Sequence, residues 1–401
     1  MGLSLEGIRV MDMTQALAGP YAAKFLGDLG AEVIKIESPD GGDMTRKFPG
    51  PSVDGESGYF ISLNRNKKGV TLNLRTEKGK EIFKELVKIS DVVLENFRPG
   101  TTKKLGLDYD TLNKVNSRII YCALSGYGAS GPYRDRPAFD TMIQALSGVM
   151  SIVGEPGRPP VHAGLGIGDL CGGMGAAISI VTALYAREKT AKGQYIDLSM
   201  LDMIISMWTF IGQYYLLAGD IPKPLGSGHV SNVPVGAFKA ADGYIMIQCS
   251  SQKFYENLAS VISKEVEEFR DLPKDERFNT PAKRLENRKL MDTIISDAFS
   301  KKPKEVWLKA LEAGDVPFAP VNDLAQALSD PQVLFRNMLV EFEYPSGKKV
   351  RTIGNPLKLS PAHKEVFTPP PHMGEHNEEI ICGLLGYSKS DLEQLKKGKV
   401  I

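Results

Sequence analysis

The chain predicts an α/β fold, a doubly wound parallel sheet followed by a smaller α+β unit. Short apolar strands alternate with helical stretches through the first part of the sequence. A Pro/Gly-rich joint, Ile221-Pro-Lys-Pro-Leu-Gly-Ser-Gly228, marks a shift in composition. Beyond it the pattern becomes charged, amphipathic helix. Alternating strand and helix implies parallel strands with helices on both faces, right-handed crossovers and ligands beyond the C-terminal strand ends.

Ile8–Met13 reads as the first strand, and Pro20–Leu29 (PYAAKFLGDL) as a helix ended by Gly30. Strands follow at Ala31–Glu37 and Val70–Leu74, a helix at Glu77–Lys88, and strands at Val92–Glu95 and Ile119–Leu124. Ala176–Ala186 (AAISIVTALYA) reads as a buried helix. Gln194–Met200 is a strand leading into a long apolar helix over Leu201–Leu217. Gly236–Cys249 forms a hairpin turning on Ala241-Asp-Gly243. Helical pattern then runs from Gln252 to Ala313. Val340–Tyr344 pairs with Val350–Ile353, the Pro-rich run Ser360–Pro371 is an extended linker, and Glu378–Val400 is helical with Gly386 and Gly398 as caps.

Bulk properties exclude several function classes. A chain of 401 residues with 42% hydrophobic and 24% charged content can build a full core. Its 49 basic and 48 acidic residues nearly cancel, which argues against a nucleic-acid or membrane-surface partner. The start, Met1-Gly-Leu-Ser-Leu-Glu-Gly7, has no basic region of a signal peptide, and Glu6 stands where myristoylation needs Ser or Thr. No apolar stretch reads as a membrane span, so a cytoplasmic location is expected. Cys122, Cys171, Cys249 and Cys382 are scattered without metal spacing, as free thiols in a reducing compartment would be, and no metal site is expected. The first strand–helix turn, Thr14-Gln-Ala-Leu-Ala-Gly-Pro20, is not GxGxxG, which argues against a nicotinamide dehydrogenase.

The most informative stretch is Gly164-Leu-Gly-Ile-Gly-Asp-Leu-Cys-Gly-Gly-Met-Gly175, which sets one carboxylate, Asp169, among glycines before an apolar helix. Small neighbours let a bulky ligand approach the backbone. The helix dipole favours the ionised form by ~0.3–1 kcal/mol. Such a carboxylate can attack an activated acyl group. The same position also suits an ordinary helix cap.

Several segments together resemble the family III CoA-transferases, the group that contains formyl-CoA and carnitine CoA-transferases and α-methylacyl-CoA racemase. They are Ala18-Gly-Pro20, Gly30–Glu37, Gly42-Asp-Met-Thr-Arg46, Leu63–Leu74, Glu95-Asn-Phe-Arg-Pro-Gly100, Gly126-Tyr-Gly128, Gly131-Pro132 and Gly164–Asp169. Lys192-Gly-Gln194 with Ser199–Asp202, and Gly374-Glu-His376 with Leu385-Gly-Tyr-Ser388, carry the pattern to the end of the chain. The resemblance implies a Rossmann-like large domain built from residues 1–220 and a return segment, 326–401, around a small domain at 221–325. It also implies an interlocked homodimer.

Asp169 falls at the position of that family's nucleophile. The implied chemistry is attack on an acyl-CoA thioester to give an aspartyl anhydride, return of CoA thiolate to give an aspartyl-CoA thioester, and transfer to a free carboxylic acid, with succinyl-CoA a common donor. No permanently bound cofactor is implied; coenzyme A and acyl-CoA are substrates. By resemblance, Leu17, Ala18, Leu72, Arg75, Asn96, Phe97, Arg98, Lys104 and Arg136 would hold CoA. Arg46, Arg65, Lys67 and Lys68 are further basic residues of the kind phosphates need. Gly226, Ser227, Gly228 and His229 stand nearest to the glycine loop that covers the aspartate in relatives, although their composition equally suits an interdomain linker.

Two departures bear on the reaction. Ser38 and Leu17 replace a basic residue and a Gln of formyl-CoA transferases, which points to a larger acyl group or acid. Phe139 stands where the racemase branch carries a proton-exchanging His, and a two-base racemase needs a base on each face of the α-carbon. The rival readings are an acyl-CoA racemase or epimerase and a non-catalytic CoA-binding subunit.

Overall fold

The computed structural model describes residues 3–360 and 365–401. Met1 and Gly2, and Pro361–Lys364 of the expected linker, lie outside the described residues. The chain divides into two units: Met1–Met150, His162–Asp220 and Pro331–Ile401 in the first, Ser151–Val161 and Ile221–Asp330 in the second.

The first unit is built on six strands: β1 (Arg9–Asp12), β2 (Glu32–Glu37), β3 (Lys67–Thr71), β4 (Val92–Glu95), β5 (Ile120–Ser125) and β6 (Tyr195–Ser199). All pairings are parallel and the spatial order is β3-β2-β1-β4-β5-β6. The order reverses between β1 and β4, where open α/β sheets leave a crevice at their C-terminal edge. Side chains alternate across the sheet. Val10, Val33, Val92, Leu94, Ile120 and Cys122 share one core with Ala22 and Leu26 of α1 (Ala18–Asp28) and with Ala176 and Ile180 further on. Met11, Ile34, Val70, Val93 and Tyr121 face the other way, onto Phe83 and Leu86 of α2 (Glu77–Lys88) and onto Leu392 and Leu395 near the C-terminus. The two covered faces explain the near-continuous apolar strands.

Helix α3 (Asp140–Leu146) precedes α4 (Ile167–Thr190), which begins well before the apolar run that announced it. Gly173 explains the glycine bed differently from a ligand path. A Cβ there would lie 2.5 Å from the Ala18 carbonyl oxygen, so α1 and α4 approach too closely for any side chain. Helix α4 is also long and apolar enough to cross a membrane by length and composition, but half of it is buried against the core of this unit. The expected helix over Leu201–Leu217 is broken into α5 (Met200–Ser206) and α6 (Thr209–Ala218). Between them, Trp208 turns inward to donate its Nε1–H to the Ser147 carbonyl at 3.0 Å.

In the second unit, β7 (Val235–Ala240) and β8 (Gly243–Gln248) form a hairpin, with β9 (Phe318–Pro320) on the β8 edge. Helices α7 (Gln252–Glu265), α8 (Arg288–Ser300) and α9 (Lys304–Ala313) cover it around Trp307, which stacks on Phe299 at 4.3 Å. The return segment carries the antiparallel pair β10 (Leu339–Glu343) and β11 (Lys349–Ile353). The C-terminal helical pattern is interrupted at Gly386, and α10 (Lys389–Lys397) restarts from a Ser388–Asp391 capping box.

Candidate active site

The turn after β1 is held from below by buried charge. Asp12 takes the Lys67 ammonium at 2.9 Å, and both side chains are wholly buried. Lys35 pairs with Asp43 at 2.9 Å and donates to the Thr14 carbonyl at 2.9 Å. Asp43 accepts the Ala16 N–H at 3.3 Å, and Ala16 sits in the left-handed region at φ 65°. From the β4 side, Asn96 accepts the Gln15 N–H at 2.9 Å and donates to the Gln15 carbonyl at 2.8 Å. The two clamps offset a backbone conformation that Ala alone disfavours. They fix the turn that carries Leu17 and Ala18, and no side chain caps α1 where it starts there.

Asp169 lies in the first turn of α4. The carboxylate that caps this helix is Asp140, at the start of α3: its Oδ1 accepts the Gly168 N–H at 2.7 Å and the Asp169 N–H at 3.3 Å. Gln144 locks Asp140 in place, donating from Nε2 to Oδ2 at 2.6 Å and to the Leu165 carbonyl at 3.2 Å. Asp169 is thereby relieved of the capping role, and its side chain is half-buried. Burial, with Asp140 adding like-charge repulsion, pushes its carboxyl up to about 7. The helix dipole alone would have kept it in the ordinary carboxylate range, so desolvation outweighs the dipole here.

Asp169 lines a cleft of about 320 Å³ at the point where the strand order reverses. Leu17, Ala18, Asn96, Phe97, Arg98 and Arg136 line the same cleft. Among the walls that the sequence did not single out are Met44, Arg134 and Met200. Arg134 could have been found from the Arg-Asp-Arg step that follows Gly131-Pro132. Phe139 lies at the rim, 68% exposed. Arg98, Arg134 and Arg136 give the cleft a positive wall suited to phosphate oxygens.

Other expected residues lie elsewhere. Leu72 is buried in the core shared with α2, and Asn73 beside it donates its N–H to the Val400 carbonyl. Arg75 and Lys104 are exposed and do not line the cleft. Arg46, Arg65 and Lys67 are not free for phosphate. Arg46 is buried between Glu37 (2.5 Å) and Glu56 (2.6 Å), Arg65 pairs with Asp28 (2.6 Å), and Lys67 pairs with Asp12. Lys68 bridges Glu32 and Glu379. The reason is general: a cation that becomes buried is held by internal partners, here carboxylates, and sequence does not reveal which cations become buried.

Gly226–His229 belong to the second unit. Ser227 Oγ accepts the Ala237 N–H at 2.8 Å, tying the segment to β7. The His229 ring Nδ1 accepts the backbone N–H groups of Ser231 and Asn232, both at 3.2 Å, and the His229 carbonyl accepts from Arg288 at 2.6 Å. Cys122, Cys171, Cys249 and Cys382 are all free thiols. Among the described residues no cluster of His, Cys, Asp and Glu could hold a metal ion.

A doubly wound domain with a proton-poised carboxylate in its switch-point cleft defines a class of ligand-binding α/β enzymes, and comparison with known proteins narrows it. The family model described as CoA-transferase family III matches residues 5–377. The chain is 36% identical over 397 residues to the succinyl-CoA:glutarate CoA-transferase of Mus musculus, covering 99% of this chain and 90% of the relative. It is 39% identical over 356 residues to the acetyl-CoA:oxalate CoA-transferase of Acetobacter aceti, covering 88% and 89%. The crystal structure of a CAIB/BAIF family protein from Brucella suis superposes with a TM-score of 0.86 at 34% identity, covering 96% of this chain and all of that one. The chain belongs to the family III CoA-transferases and is a transferase enzyme that uses CoA thioesters.

Proposed function

We propose that this enzyme moves CoA from a dicarboxylic acyl-CoA, succinyl-CoA above all, to a free carboxylic acid, with Asp169 as the covalent nucleophile. One observation carries the reading: a single carboxylate lines the cleft, in the first turn of α4, together with apolar Leu17, Met44 and Met200 and the arginines of the same cleft. An Asp169 oxygen attacks the thioester carbonyl carbon, the C–S bond breaks, and CoA leaves as thiolate from an acyl-aspartyl anhydride. The thiolate then attacks the Asp169 carbonyl, releasing the donor acid as a carboxylate and leaving aspartyl-CoA thioester. An acceptor carboxylate repeats the two steps in reverse, so no proton need be moved and no redox change occurs. Arg98, Arg134 and Arg136 would take the phosphates, and Asn96 and Phe97 the adenosine side. The succinyl-CoA:glutarate relative supports the donor class.

The test is intact mass after brief incubation with a panel of acyl-CoAs and an acid quench. An adduct of CoA or acyl mass that maps to Asp169 is expected. α-Proton exchange in deuterated water without any adduct would move the reading to a racemase, and neither signal to a non-catalytic subunit.

A pH profile follows from the site. The ionised carboxylate is the nucleophile, so kcat/KM should fall as pH drops through about 7. Asp140→Asn removes the like charge yet keeps an oxygen for the Gly168 N–H, so its acid limb should move to lower pH. Asp140→Ala also loses the cap, costing about 0.5–2 kcal/mol of stability. An unmoved acid limb in the Asn variant would show that Asp140 does not act on Asp169 electrostatically.

The proposal extends to quaternary structure: a second copy interlocks with the first in a homodimer. Met174, Ile178, Val181 and Tyr185 form one exposed apolar stripe along α4, and the apolar helix α6 buries none of its residues. Contiguous exposed apolar faces mark surfaces that a partner covers. Ile178→Asp is expected to shift sedimentation from dimer to monomer or aggregate; a wild-type monomer would refute the pairing. Four free thiols and the absence of a charge bias fit a reducing, cytoplasmic setting, which fractionation with a thiol-state assay would check.

A further inference from the structure

Glu95 is a buried carboxyl that the transfer chemistry leaves unused. It ends β4 at the switch point, is 6% exposed, and makes no ion pair among the described residues. Its Oε2 accepts the Phe97 N–H at 2.7 Å, closing the first turn of Asn96-Phe97-Arg98-Pro99, and its Oε1 faces the Tyr121 hydroxyl at 3.4 Å. All four residues of that turn line the Asp169 cleft, and Asn96 grips the Gln15 backbone opposite. On its other side Glu95 borders a second cavity of about 250 Å³, which shares Phe97, Pro99, Ser125 and Arg134 with the first.

We propose that Glu95 is a positioning residue: its carboxylate fixes the Asn96–Pro99 turn from beneath and so sets how tightly the cleft holds the CoA part of the substrate. The inference rests on the reading of the cleft given above. A carboxylate is the stronger acceptor for the Phe97 N–H, because a hydrogen bond to an ionised group is roughly twice as strong as a neutral one. Burial pushes Glu95 up to about 7, against the Phe97 N–H and Tyr121 hydroxyl that favour the charged form. The grip therefore changes across neutral pH. The titratable groups that couple to it are Tyr121 and Cys122 on β5 and Tyr195 on β6. Across the second cavity stand Lys103, Asp108, Tyr109, Asp110 and Arg134.

The experiment measures the Kd of CoA itself by calorimetry from pH 6 to 8, in full-length Asp169→Asn, so that neither reaction nor Asp169 titration contributes. Binding is expected to tighten about fivefold with rising pH, beyond the ionisation of CoA alone. Asp169→Asn combined with Glu95→Gln keeps an acceptor for Phe97 and should lose that extra response. Tyr121→Phe, which removes a donor to Oε1, should move the midpoint to higher pH; it also serves if the Gln variant fails to fold. Identical pH responses with Glu and Gln, or an unmoved midpoint in Tyr121→Phe, would overturn the proposal. So would weaker binding at high pH that depends on Glu95, since the carboxylate would then be acting by repelling phosphate. Failure of CoA to bind at any pH would instead overturn the cleft reading itself.

Discussion

Asp169→Asn is expected to lose CoA transfer by about 10⁴-fold or more, the scale seen when a covalent nucleophile is deleted, while the protein becomes more stable. The sign follows from linkage. The ordinary carboxyl of the unfolded chain titrates near 3.8 and the folded one near 7, so the native state holds more protons between those values. The contribution of Asp169 to wild-type stability therefore declines as pH rises from about 4 to 7 and levels off above. Asn carries no such penalty. Thermal melts at pH 4 and pH 8 should show the variant's advantage growing with pH. A variant no more stable than wild type at pH 8 would mean that Asp169 is not held in a desolvated, like-charged setting. Residual transfer within tenfold of wild type would remove it as nucleophile. Strain against stability at a reacting group is a common trade.

The second large effect concerns the buried charges beneath the β1 turn. Lys67→Met keeps the aliphatic stem but strands Asp12 and empties the position that also donates to Asn64 Oδ1 at 2.8 Å and the Pro20 carbonyl at 3.2 Å. Breaking one partner of a buried pair costs about 3–5 kcal/mol. Although burial pushes Asp12 up, Lys67 and Lys35 hold it below the usual carboxylate range in the wild type. Without Lys67 burial wins, so the loss should be greatest at neutral pH and shrink toward pH 4, where Asp12 can take a proton. Chemical denaturation at both pH values checks this. The double variant Asp12→Asn with Lys67→Met should recover part of the loss, and equal destabilisation of single and double variants would mean that the pair is not coupled.

The two predictions differ in how far they were legible from sequence. Asp169 announced itself through local features: glycines on both sides, an apolar helix after it, and its place in a set of ordered motifs. Lys67 carried no such mark. It lies in the same basic stretch as Arg65 and Lys68, and only the fold separates two buried structural cations from one at the surface. Arg46 was likewise legible as a cation but not as the partner of Glu37 and Glu56. The break between α5 and α6 was missed because the apolar pattern runs through it, and the Trp208 bond to Ser147 that stabilises it is a long-range contact.

The sequence by itself determined the alternation of strands and helices, the hairpin at Ala241-Asp-Gly243 and the place of Asp169 at or just before the start of a helix. These depend on residues a few places apart, whose spacing decides which face is apolar and where a chain can turn. Tertiary structure alone decided that Asp140 rather than Asp169 caps α4, that Gly173 serves helix packing, and that Ala16 is held at positive φ by Asp43 and Asn96. It also decided the proton affinity of Asp169. Desolvation and pairing depend on which distant groups are brought within a few ångströms and on how much water they exclude, and no local pattern encodes either.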